Sequence, residues 1–568
     1  NEMNIIKLPL LFVIFLVHCQ SPNVISSLAE TGPIGNEAMI STTHPLATEV
    51  GLGILQKGGN AIDAAIAVQF SLSVVYPQAG NIGGGGFAVI RLDDGTVATL
   101  DFREKAPQSA TKDMYLDADG NVIKELSKIG HLASGVPGSV AGMWELHQKY
   151  GQLPWADLVS PAVNLAANGH QLTEFTAKSL NNKQRDFIKV NSYQPWVVKE
   201  EDWNKGDTIY QKDLATTLSL IENKGRDGFY KGIVADLIAT EMQSGGGLIT
   251  QKDLIAYEPI WRAALKGTYK GFTIHVMAPP SSGGIALLQL LQGAEKYDFK
   301  KLGHNSAQMI HIKTELERRV YADRATFLGD ADFYPVPVDQ LLDPNYNKER
   351  FSSILEKKAT LSTEIKEGTV NVIESIETTH FSIVDKAGNS IGITTTLNGN
   401  FGSAVMVKDG GFFLNNEMDD FSVKPGTPNM FGLIGGKANA IAPEKRMLSS
   451  MTPTIVEKDG KLFLVTGSPG GSTIITTVFQ NIINVIDFEM TLHDAINAKR
   501  AHSQWLPDVI LIEENAISEE AITTLEQMGH QLKFMPEIGK INAILVRPDG
   551  TLEGGPDYLR SDSYAIGY

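Results

Sequence analysis

The chain has 568 residues, 42% of them apolar and 20% charged, with a formal net charge of −16 and a pI near 5.3. Such a length allows roughly two to four domains and a sizeable core, while the acidic balance excludes nucleic acid or an anionic membrane as the main partner, because both need a basic patch. A small polar substrate fits better, and the single cysteine, Cys19, excludes an intramolecular disulfide.

Leu8 to Val17 form an unbroken apolar run behind Lys7. It is too short to span a bilayer but has the length of a signal-peptide core. Export to the periplasm or beyond is the expectation, with residues 1–29 as the signal and Ser27-Leu28-Ala29 as the cleavage site. Cys19, directly behind the run, also looks like a bacterial lipoprotein site, so membrane attachment enters only through its lipidation.

Thr43-His44-Pro45 opens a helix, with the Thr43 hydroxyl as cap and proline in the first turn, that stops at Gly58-Gly59. Asn60 caps the next helix, Ala61 to Val75, which is apolar nearly all round and therefore belongs between other layers. In Gly80 to Gly86, the spacing of Gly83, Gly85 and Ala88 matches a dinucleotide fingerprint. That fingerprint needs a strand before it and a helix behind it, and here the order is reversed, so a tight backbone crossing is expected instead. Strands follow at Phe87 to Leu92 and Val97 to Phe102. Glu364 to Glu377 lacks a clear period and reads as an exposed stretch where a chain break is tolerated.

Thr378 to Asp385 and Ser390 to Leu397 are two β-segments joined by the glycine-bearing loop Lys386-Ala387-Gly388. If the loop is symmetric, Asp385 faces Asn389, and continuing that register puts Thr378 opposite Thr396, with Thr394 on the same face. Two threonines so placed can exchange a hydroxyl hydrogen bond, although threonine is also a common strand former. Lys461 to Thr466 reads as a strand, Gly467 to Gly471 as a loop and Ser472 to Ile486 as a helix. Free N–H groups at such a junction attract negative charge, which suits an oxyanion hole and equally a plain helix entry. The polar runs Asn415 to Asp420 and Ser449-Ser450 stand beside apolar ones. Twelve histidines are scattered without metal-ligand spacing. A G-x-S-x-G elbow is missing, and without linker or repeat one large domain of helices on sheets is expected.

Thr378-Thr379-His380, Leu414 to Phe421, Arg446 to Pro453 and Thr466 to Ser472 together resemble γ-glutamyltransferases of the bacterial type. Upstream, Asp101 to Pro107, Pro279 to Gly284 and Tyr321 to Arg324 look like the same family, and the resemblance runs from about Ala38 to the end. It implies an α+β fold, the four-layer αββα sandwich of N-terminal-nucleophile hydrolases, with no metal or organic cofactor. It also implies a precursor cut into a large subunit, 30–377, and a small one, 378–568. Thr378 is then the nucleophile, Thr396 the threonine supporting its hydroxyl, and Gly470 and Gly471 the oxyanion donors. Arg103 would hold the α-carboxylate of a donor such as glutathione, helped by Ser449 and Ser450. Asp420, Glu417 and Asn398 would receive its α-ammonium. Water or an amino acid or peptide acceptor would take the γ-glutamyl group. A related acylase acting on a glutaryl β-lactam needs no ammonium site, so the set Arg103, Glu417 and Asp420 argues against that reading. Two positions depart from the family: Gly554 to Arg560, and Phe431, where bacterial members carry a tyrosine. The expectation at Phe431 is a lid over Pro425 to Gly436 that has lost a hydrogen bond to Asn398.

Overall fold

The computed structural model of the protein describes residues 30–365 and 378–568. The apolar run, Cys19 and most of Glu364 to Glu377 lie outside the described residues. Two antiparallel seven-stranded sheets face each other. The first orders Ile34–Gly35, Leu552–Pro556, Asn542–Val546, Lys461–Thr466, Thr454–Lys458, Phe272–Val276 and Leu265–Tyr269. The second orders Tyr564–Gly567, Met39–Thr42, Thr379–Val384, Ser390–Thr396, Gly85–Arg91, Val97–Asp101 and Ile260–Arg262. Strands that precede residue 366 neighbour strands that follow residue 377 in both sheets. Backbone ladders therefore bind the two parts of the chain along their length, and a break between them would leave both in place.

Alternation along the strands assigns the layers. Phe381, Ile383, Ile391 and Ile393 point into a core shared with the helix Ala61–Val75. Phe87, Val89 and Val384 lie in another core with Ile274, Val456 and Leu464 of the facing sheet and with helices Ser282–Ala294, Ala307–Phe327 and Ile474–Ile486. The expected helix, sheet, sheet, helix order results.

The helix Ala61–Val75 is buried at every residue, as its all-round apolar sequence requires. Each fully buried Ile, Val, Leu or Phe contributes about 1.5–3 kcal/mol. Its start is tied to the hairpin: Asn60 accepts from Ile62 N and Asp63 N, Asp63 returns the bond to Asn60 N, and Asp385 accepts from Ala61 N at 2.9 Å. One cap differs from expectation. His44 Nδ1, not Thr43, accepts from Leu46 N at 3.2 Å, because the Thr43 hydroxyl is engaged with that of Thr379 at 2.7 Å in the adjacent strand. The glycine run is the tight crossing expected. A Cβ on Gly83 would stand 2.1 Å from the Phe413 carbonyl, and one on Gly84 would stand 2.0 Å from that of Thr396.

Candidate active site

The hairpin places the threonines as its symmetric loop dictates. Asp385 N donates to the Asn389 carbonyl, Thr379 pairs with Thr395 and His380 with Thr394, so Thr378 comes opposite Thr396. The Thr378 hydroxyl donates to Thr396 Oγ1 at 3.4 Å, and Thr396 Oγ1 also accepts from Asn398 N at 2.7 Å. Thr395 points the other way, to Asn81, Gln69 and the Gly85 carbonyl. Thr394 shares the Thr396 face, where its hydroxyl meets His380 Nδ1 at 2.8 Å. Burial pushes His380 down to about 3, so its ring is neutral and serves as packing between the sheets.

Thr378 and Thr396 line one cavity together with Arg103, Asn398, Glu417, Asp420, Ser449, Ser450, Phe431 and Gly471. The polar run Asn415 to Asp420 enters it because Asn415 bonds the carbonyls of Gly83 and Gly135, which turns the following short helix Glu417–Asp420 toward the strand ends. Arg103 Nη1 lies 2.6 Å from Glu417 and 3.6 Å from Glu104, and Nη2 lies 2.5 Å from Asp420. Burial opposes the Arg103 charge, but Glu417, Glu104 and Asp420 together hold its pKa above the ordinary arginine value. One guanidinium cannot neutralise three carboxylates. Burial accordingly pushes Glu104 up to about 8 and Glu417 well above its usual range, each against the pull of Arg103. Asp420 rises for the same reason, with Arg103 opposing.

The serine pair and the glycine loop close the opposite wall. Ser282 bonds the Ser449 carbonyl through N at 2.7 Å and through Oγ at 2.6 Å, and Arg324 Nη2 donates to Ser450 Oγ at 3.1 Å. Gly470 (φ 135°) and Gly471 (φ 54°) hold conformations that favour glycine just before the helix Ile474–Ile486. Phe431 stacks on Gly471 so closely that a Cβ there would meet the ring at 2.4 Å.

Phe431 is thus a wall of the cavity, but the lost tie to Asn398 is replaced. Asn398 Nδ2 meets Met430 Sδ at 3.5 Å and donates to the Asn416 carbonyl at 3.0 Å. The loop is further held by Asp419, which accepts from Met430 N at 2.6 Å, and by Asn429, which donates to Asp420 at 2.9 Å. The cavity measures about 20 Å³. That is room for a water.

All ten residues singled out from the sequence fall at this site: nine line the cavity, and Gly470 adjoins Gly471. Sequence reading missed Glu104, Arg324, Asp419, Asn429 and Met430. Glu104 and Arg324 lay inside quoted motifs, Asp101 to Pro107 and Tyr321 to Arg324, whose individual residues had no chemical pattern to mark them. Among the described residues, His311, Glu315 and His530 could offer ligands to a metal. Their donors are already shared out: Glu315 serves Arg318, Arg319 and Thr360, and His311 bonds the Leu355 carbonyl and His530.

Known proteins resemble this chain along most of its length. A family described as Gamma-glutamyltranspeptidase matches residues 47–567. The chain is 46% identical over 534 residues to the glutathione hydrolase proenzyme of Escherichia coli, covering 94% of this chain and 92% of that one. The gamma-glutamyltranspeptidase structure from Helicobacter pylori is 46% identical with a TM-score of 0.56, covering 59% of this chain and 96% of that one. A cephalosporin acylase structure from Bacillus halodurans matches with a TM-score of 0.82 at 25% identity, covering 98% of this chain and 99% of that one.

Proposed function

This chain belongs to the gamma-glutamyltranspeptidase family, and from that premise we propose how its residues divide the work of a self-processing γ-glutamyltransferase and glutathione hydrolase. The observation that carries the assignment is the Thr378 hydroxyl, 3.4 Å from that of Thr396, on the cavity that also holds the Arg103, Glu417 and Asp420 cluster.

In maturation the Thr378 hydroxyl attacks the preceding carbonyl, the acyl group moves from nitrogen to oxygen, and water opens the ester. The products are a large subunit, 30–377, and a small one starting at Thr378. The freed α-amine titrates near about pH 8, so at neutral pH a useful fraction is an unprotonated base for its own hydroxyl. That hydroxyl attacks the γ-carbonyl of the donor, the N–H groups of Gly470 and Gly471 stabilise the oxyanion, and the departing amine takes the proton. Water then gives hydrolysis, and an amino acid or peptide amine gives transfer.

Recognition follows from charge. A γ-glutamyl donor carries a carboxylate and an ammonium on one carbon. Arg103 with Ser449 and Ser450 receives the first, and Asp420 with Glu417 and Asn398 the second. Arg103 pairs directly with Glu417 and Asp420, and the donor inserts between them.

Amino-terminal sequencing of the smaller fragment is expected to begin at Thr378, and Thr378→Ala is expected to remain one uncut chain. Release of p-nitroaniline from γ-glutamyl-p-nitroanilide, raised by glycylglycine, tests the activity; an uncut wild-type chain without this turnover refutes the reading. Among the described residues, no helix is long and apolar enough to cross a membrane. Leu8 to Val17 is proposed as an export signal, leaving a mature chain that starts near Glu30 or at a lipidated Cys19, and intact-mass measurement distinguishes these from a retained run.

A further inference from the structure

We propose that Arg324 is a positioning residue for the donor's α-carboxylate: it supplies a second, buried positive charge behind Ser450 and orients the hydroxyl that meets the substrate. The inference rests on the γ-glutamyl reading of the cavity. Arg324 closes the helix Ala307–Phe327 and is 4% exposed. Its Nε donates to Ser282 Oγ at 2.9 Å and its Nη2 to Ser450 Oγ at 3.1 Å. Among the described residues no carboxylate lies within ion-pair distance of it, whereas the other buried guanidiniums on this helix, Arg318 and Arg319, both meet Glu315. A buried cation left without an anion is expensive, and it favours any site where an anion can approach.

Ser282 and Ser450 connect that charge to the cavity. Ser282 donates its own hydroxyl hydrogen bond to the Ser449 carbonyl, which locks the serine pair in place. Ser450 accepts from Arg324 on its far side and lines the cavity on its near side. An oxygen that accepts from a guanidinium keeps its own proton for another acceptor. A carboxylate in the cavity is the acceptor within reach.

The crowding around Arg103 favours this second charge. Arg103 alone faces Glu104, Glu417 and Asp420. A further carboxylate brought to that guanidinium competes with these three acids for it, and a second cation behind it offsets that competition. Arg324, attracted by Asp420 and otherwise balanced by no acid, is placed to do so.

The test uses the matured enzyme and three competitive probes: L-glutamate, glutarate, which keeps the α-side carboxylate without the amine, and 4-aminobutyrate, which keeps the amine without that carboxylate. Arg324→Gln is expected to raise KM for γ-glutamyl-p-nitroanilide and weaken glutamate and glutarate by roughly 10- to 100-fold, the value of one charge-assisted hydrogen bond. It should leave 4-aminobutyrate unchanged and kcat within a few-fold. Arg324→Lys, which restores charge without the double serine contact, should recover part of the loss with the same selectivity. Equal weakening of all three probes, or unchanged glutamate binding, overturns the proposal. If the glutamine variant fails to mature, the lysine variant carries the test, and absence of carboxylate selectivity in it is equally decisive. Failure of the wild-type enzyme to turn over the anilide would instead sink the functional reading itself.

Discussion

Two helices of this protein are buried along their length for opposite reasons. Ala61–Val75 has no exposed residue and carries one charge, Asp63, spent on capping. In Ala307–Phe327 every residue from Met309 to Ala325 is buried, including Lys313, Glu315, Glu317, Arg318, Arg319, Asp323 and Arg324. The apolar helix is held by hydration lost from its side chains, and it would be stable beside any apolar neighbour. The charged helix is held only where partners meet it: Glu315 joins Arg318, Arg319 and Thr360, Lys313 meets Gln480, and Arg350 meets Asp323. Buried charges add little net stability but specify geometry, because each tolerates few arrangements. The difference is functional. The charged helix reaches the site, through Tyr321 to the Ser472 carbonyl at 2.5 Å and through Arg324 to Ser450. The apolar helix reaches it only through the sheet it supports.

Breaking the charged helix should therefore do more damage. Glu315→Ala strands the Arg319 guanidinium and leaves Arg318 with Asp508 alone, and is expected to cost about 3–5 kcal/mol, read from denaturant midpoints of the matured enzyme. A smaller effect comes from Lys313 and Glu317, whose burial moves both to about 8, Lys313 down and Glu317 up. Folded Glu317 keeps its proton above its unfolded pKa, so its stabilisation is present at low pH and lost as pH rises toward 8. Folded Lys313 loses its proton early, so its stabilisation is present at high pH and lost as pH falls toward 8. Together they predict a stability minimum near pH 8 that the double variant Lys313→Met, Glu317→Leu removes, with stability within about 1 kcal/mol of wild type or above it. A flat profile in wild type would show that the pair is not shifted.

Tyr321→Phe loses one hydrogen bond worth about 1 kcal/mol, and because that bond steadies the glycine loop, kcat should fall while KM for the donor holds. Ile66→Val in the apolar helix should lower stability by roughly 0.5–1.5 kcal/mol and leave maturation and both kinetic constants unchanged. If Ile66→Val moves kcat as much as Tyr321→Phe does, the contrast between the two helices fails.

How much of this was legible follows the same division. The apolar helix, its Asn60 cap, the hairpin and the strand Lys461–Thr466 were readable because each depends on local periodicity or turn chemistry. The register of Thr378 against Thr396 came from a three-residue loop, since strand pairing propagates from the turn that starts it. The cavity residues came with the family resemblance, and the motifs that carry it stand together in space.

The sequence by itself determined the elements and the hairpin register, because these follow from a few neighbouring residues. Tertiary structure decided what depends on distant partners. Thr43 lost its capping role to a contact with Thr379, which only the sheet brings near. Met430 took up Asn398 where a missing tyrosine hydroxyl had been expected to leave a gap, because the loop seats the preceding residue over that amide. Ala307–Phe327 has the composition of a solvated helix and became a core element. Burying its charges is affordable only with Glu315, Gln480 and Ser450 in place, and no pattern within the helix records where those partners are.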